Sequence, residues 1–67
     1  MDTIKRVQDL MKERDMNLCV LTKKCGISYS TIQTTARRGG QLSVETIERI
    51  CLGLEITLKD FFDSSYL

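Results

Sequence analysis

An all-α fold follows from three features of the 67-residue sequence. Apolar residues recur at spacings of three and four, as in Ile4, Val7, Leu10 and Met11, which puts them on one stripe of a helix. Asn17, Ser28, Ser43 and Thr57, all residues that favour helix starts, stand just ahead of such stripes, and Gly26 stands at the end of one. The chain has no proline, so no strong internal break interrupts these segments.

Residues 2 to 14 form the first expected helix, capped by Asp2 or Thr3. Its apolar stripe turns inward, and Lys5, Arg6, Asp9, Lys12 and Glu13 make a mixed, solvated outer surface. Asp15 and Met16 connect it to Asn17, the cap of a second helix on which Leu18, Leu21, Thr22 and Cys25 share one face. Gly26 suits the left-handed position that ends this helix. Ser28 then caps a third helix, with Ile27 in the turn and Ile32 in the helix as inward anchors. Residues 17 to 38 therefore carry helix-turn-helix punctuation.

At 100° per residue, with Ile32 inward, Ser30, Gln33, Thr34 and Arg37 fall on the far side of the third helix, flanked by Tyr29 and Thr31. Short hydroxyl and amide side chains with an arginine are what major-groove base edges and nearby phosphates can pair with. A merely solvated helix usually carries more Glu and Lys. Gln33 and Thr34, in mid-helix, are the expected base readers, and Arg37 pairs with guanine or only with phosphate. Two fates are open to Tyr29: its ring packs on the core edge, or its hydroxyl is offered outward.

Arg38, Gly39, Gly40, Gln41 and Leu42 form the next loop. Its N–H groups reach phosphate, or its glycines only end the helix and turn the chain, and both can hold. Ser43 caps a fourth helix, with Glu45 and Thr46 in its first turn and Val44, Ile47, Ile50, Cys51 and Leu54 facing the core. Thr57 caps a short last helix whose Leu58, Phe61 and Phe62 close the bundle. Val20, Leu52, Tyr66 and Leu67 are the apolar residues left over for a partner.

The run Asn17-Leu-x-x-Leu-Thr-Lys-Lys-Cys-Gly-Ile-Ser-Tyr-Ser-Thr-Ile resembles the Cro and phage-repressor type of helix-turn-helix domain, the XRE-like regulators. Ser43-Val-Glu-Thr-Ile-Glu-Arg-Ile-Cys and Ile56-Thr-Leu-Lys-Asp-Phe-Phe62 follow at family spacing, so the resemblance covers nearly the whole chain. It implies a compact, lambda-repressor-like bundle of about five short helices whose third enters the major groove. It also implies DNA contacts by Ser28, Tyr29, Ser30, Gln33, Thr34, Arg37, Arg38 and Gln41.

The chain departs from that family at several positions. Met11 and Ala36 stand where relatives often pair a buried Arg with a Glu, and exchanging both partners for apolar residues is commonly neutral or stabilising. Leu18 replaces a glutamine that holds a phosphate in many relatives, although the helix N-terminus still offers backbone N–H groups. Thr22 and Thr35 replace apolar residues and can bond their own helix backbone. Glu55 stands where Gly or Asn is usual, which predicts slight strain.

The length suits one domain spanning residues 1 to 67, with no room for a separate small-molecule domain. Net charge is only +1, but it is segregated. Residues 16 to 42 hold Lys23, Lys24, Arg37 and Arg38 and no acid, whereas residues 43 to 67 carry a net −3. The positive part coincides with the helix-turn-helix, where a phosphate-facing surface belongs. Neither a signal peptide nor a membrane span is expected, which predicts a cytoplasmic protein.

Cys19, Cys25 and Cys51 lie 6 and 26 residues apart in a chain without histidine, fitting neither a zinc site nor a disulfide framework. Reduced thiols are expected, with Cys25 and Cys51 in the core and Cys19 nearer a boundary. With no histidine, no paired carboxylates in an apolar pocket and no phosphate-cradling loop, no enzyme and no cofactor are expected. The expected function is a sequence-specific DNA-binding transcriptional regulator, a small repressor that binds its double-stranded operator as a homodimer. The rival is a protein-interaction module, antitoxin-like or adaptor-like, which the acidic C-terminal third would suit.

Overall fold

The computed structural model describes residues 2–63 and contains five α-helices, with no strand among the described residues. They are α1 (Thr3–Glu13), α2 (Leu18–Cys25), α3 (Tyr29–Arg37), α4 (Val44–Leu54) and α5 (Leu58–Phe62). The all-α bundle read from the sequence is the fold observed. Tyr66 and Leu67 lie outside the described residues.

Each start carries its expected cap except one. Asp2, Asn17, Ser43 and Thr57 accept from backbone N–H groups of their first turns, and Thr57 with Asp60 completes a reciprocal capping box. Ser28 occupies the cap position of α3 with extended backbone but makes no side-chain cap bond. Its Oγ instead lies 2.8 Å from Ser30 Oγ.

The first four helices stop by one device. A left-handed residue follows each, at Asp15 (φ 52), Gly26 (φ 67), Gly39 (φ 68) and Glu55 (φ 58). The residue after it then donates its N–H back five positions: Met16 to Met11, Ile27 to Thr22 and Gly40 to Thr35 at 3.0 Å, and Ile56 to Cys51 at 2.9 Å. Gly39 also donates to Ala36, so the loop glycines end α3 and their N–H groups are committed within the chain. Of the two readings of this loop, the turn is the one the hydrogen bonds support. Glu55 does hold the left-handed position expected to be strained.

Val7, Leu10, Leu21, Ile32, Ile47, Ile50, Leu54 and Phe61 form the core, completed by Leu42 and the thiols of Cys25 and Cys51. The scaffold rests on α2 against α4, which approach so closely at Gly53 that a Cβ there would lie 2.9 Å from the Cα of Cys25. Thr3 is fully buried and clasps the loop before α4. Its N–H and Oγ1 both donate to Gln41 Oε1 at 2.8 Å, and its Oγ1 accepts from Leu42 N at 2.8 Å.

Three expectations about packing are corrected. Arg6 is not solvated: it is buried, donating from Nε to Phe61 O at 2.6 Å, from Nη2 to Asp60 O at 2.8 Å and from Nη1 to Asp9 at 3.0 Å. Its guanidinium thereby meets Phe61 O near the end of α5 and shares Asp60 O with the Asp63 N–H. Val44, the first residue of α4, does not face the core and is 66% exposed, and the buried residues of that helix begin at Ile47. Leu58 and Phe62 are more than two-fifths exposed, and Phe61 alone of that trio is fully buried.

Candidate nucleic-acid interface

The helix-turn-helix is held rigidly from behind. Asn17 Oδ1 accepts from Val20 N at 2.9 Å, Gly26 makes the left-handed turn, and Ile32 fixes α3 to the core. Thr22 and Thr35 bond the backbone of their own helices, at Cys19 O (3.1 Å) and Thr31 O (2.9 Å), as their positions predicted.

With those groups turned inward, Ser28, Tyr29, Ser30, Thr31, Gln33, Thr34, Arg37 and Arg38 are all open to solvent. They form one surface on and around α3, a helix that itself carries no carboxylate, and Glu45 of α4 stands at its edge beside Ser28 and Thr31. The helix divides it. Thr31 turns toward α4, beside Thr46 and Arg49, while Gln33 and Arg37 border a shallow groove of about 310 Å³ between α3 and α1. Ile4, Met11 and Leu18 floor that groove, and Ala36 lies exposed along it, where the absent ion pair would have stood.

Tyr29 is 47% exposed, and its hydroxyl lies on the surface of α3. Its Oη accepts a hydrogen bond from Gln33 Nε2 at 2.9 Å, one helical turn on. Gln41 differs from the other candidates: its side-chain oxygen is engaged by Thr3, which leaves only its amide Nε2 to face outward. That clasp joins residues 38 apart in sequence and gave no local signal.

The backbone adds donors. Asn17 captures Val20 N–H but not those of Leu18 and Cys19, and the Tyr29 and Ser30 N–H groups of α3 likewise have no acceptor among the described residues. Both helix starts thus present N–H groups at the positive ends of their dipoles. Charge follows the same geography. Lys23, Lys24, Arg37 and Arg38 are exposed and make no ion pair among the described residues, where the pairs are Arg6 with Asp9, Arg14 with Glu13 and Arg49 with Glu45. Arg49, not anticipated as part of this surface, also reaches Gly26 O at 3.5 Å and so stands beside the turn into α3.

The cysteines stand apart from it. Cys19 is exposed, while Cys25 and Cys51 are buried with Sγ donating to Ile50 O and Thr57 O. Burial pushes both buried thiols above their ordinary value, and for Cys51 the charges of Asp60 and Glu48 add to the effect. No helix among the described residues is long and apolar enough to cross a membrane.

The model of a family described as the Cro/C1-type helix-turn-helix DNA-binding domain matches residues 6–64. No curated protein and no solved structure matches the chain.

Proposed function

The chain belongs to the Cro/C1-type helix-turn-helix DNA-binding family, and from that premise we propose that it is a sequence-specific transcriptional repressor. It acts as a single domain in the cytoplasm, lays α3 in the major groove of an operator, and represses by occupying it. The observation that carries this reading is the face of α3, where hydroxyl, amide and guanidinium groups are exposed together without a carboxylate. Gln33 and Thr34 address base edges, Ser28, Tyr29 and Ser30 engage the site from the first turn, and Arg37 and Arg38 pair with phosphate or guanine. The unengaged N–H groups at the start of α2 take the phosphate role that Leu18 cannot.

One such domain contacts few base pairs, so a homodimer reading two half-sites about 34 Å apart is part of the proposal. Leu52, which is 79% exposed, with Ile56 and Leu58 lines an apolar hollow between α4 and α5 that suits such pairing. The same hollow favours the second reading, a module that binds another polypeptide. Selection of duplexes from a random-sequence library separates them. A repressor dimer retains a two-fold-related motif, whereas a protein-interaction module enriches none.

A further inference from the structure

We infer that Tyr29 and Gln33 form one coupled reading unit, in which the tyrosine hydroxyl positions the Gln33 amide to read the adenine of an A·T pair. The inference rests on the DNA-binding reading and deepens it. A glutamine alone on an exposed helix face samples many rotamers, and ordering it on contact with DNA costs affinity. Here Gln33 is already tied down. Its Nε2 donates to Tyr29 Oη at 2.9 Å, and Tyr29, one turn earlier, has a two-torsion side chain rooted in the first turn of α3.

That bond uses one of the two hydrogens on Nε2. With the hydrogen on the far side of Nε2 given to Tyr29, the one beside Oε1 is left with it as a donor and an acceptor side by side on a planar group, and this is the arrangement the inference requires. Adenine presents the complement in the major groove, an N6 donor beside an N7 acceptor, and no other base offers that pair. The Tyr29 oxygen, having accepted from Gln33, keeps its own hydrogen and can donate it to phosphate or to a neighbouring acceptor. Gln33 is bordered on its other side by the groove toward α1, and no carboxylate of the described residues competes for its amide.

The test is a double-mutant cycle on the duplex that wild type selects, against single-base-pair variants of it, with Tyr29→Phe, Gln33→Ala and both together. Tyr29→Phe is expected to lower discrimination at one A·T pair roughly fivefold, about the worth of one net hydrogen bond. Gln33→Ala is expected to lower it at the same pair, and the double variant to lose no more than Gln33→Ala alone. In the free protein, Tyr29→Phe is expected to shift the Gln33 side-chain amide resonances while the backbone spectrum keeps its dispersion. If Tyr29→Phe weakens all duplexes evenly and keeps the A·T preference, the tyrosine contacts only phosphate and the coupling is wrong, though DNA binding stands. If wild type prefers no sequence, the DNA reading falls and this inference with it.

Discussion

The Nε of Arg6 donates to the carbonyl oxygen of Phe61 across 55 residues of sequence, at 2.6 Å. One guanidinium near the start of the first helix thereby closes the end of the last one, with a second bond to Asp60 O. Replacing Arg6 with Ala removes the donor that meets Phe61 O in a buried setting, while Asp60 O keeps the Asp63 N–H at 3.3 Å, and is expected to cost ~1 to 3 kcal/mol. Arg6→Lys restores charge but not the planar fork, so urea midpoints should fall in the order wild type, Arg6→Lys, Arg6→Ala.

Gly53 marks the closest approach in the scaffold. A Cβ there meets the Cys25 backbone as well as its sulfur, so Gly53→Ala is expected to destabilise by ~1 to 3 kcal/mol, although alanine favours the helix by about 1 kcal/mol. Adding Cys25→Ala removes the sulfur but leaves the clash with the backbone, and should restore only part of the loss.

Glu55 illustrates the reverse case. A residue with a side chain holds the left-handed position that glycine fills after α2 and α3. Glu55→Gly should therefore raise stability by ~0.5 to 1 kcal/mol, after the greater freedom glycine gives the unfolded chain is offset. Thermal melts of the two proteins check the sign.

The thiols predict a pH dependence. Burial first, then nearby carboxylates at Cys51, hold Cys25 and Cys51 above the ordinary 9.0, so the unfolded chain releases these protons before the folded one does. Their contribution to stability is complete below about pH 9 and is lost as pH rises through the folded values. Denaturant melts between about pH 8 and pH 10 should show that decline, flattened in a Cys25→Ala, Cys51→Ala variant. A colorimetric thiol reagent should meet one cysteine, Cys19, in the folded protein and all three after unfolding.

Local features are the ones the sequence reveals. Cap residues sit within three positions of the N–H groups they serve, and Gly26 announces its own backbone angle, so helix starts and the helix-turn-helix are legible. Ile32 sets the outward face of α3 for the same reason. The burial of Arg6 and the clasp of Gln41 are not legible, because their partners lie 55 and 38 residues away and no periodicity encodes such pairings. Val44 is apolar and in register with Cys51, yet it is exposed, because periodicity gives the face a residue takes and not whether another element covers it there. The Tyr29 to Gln33 bond spans one turn, within reach of the helical spacing rule, but each residue taken alone signals only an outward position.

Everything proposed for this protein depends on the exposed face of α3 reading DNA sequence. The most direct test is duplex selection from a random library by wild type, Thr34→Ala and Arg37→Ala, at several salt concentrations. Wild type is expected to select a two-fold-related motif, with log affinity falling against log salt at about −0.9 per phosphate engaged. Thr34→Ala is expected to relax one base pair by ~1 to 3 kcal/mol. An identical motif from wild type and both variants would contradict the assignment of that face, and no motif from any of them would contradict the regulator itself.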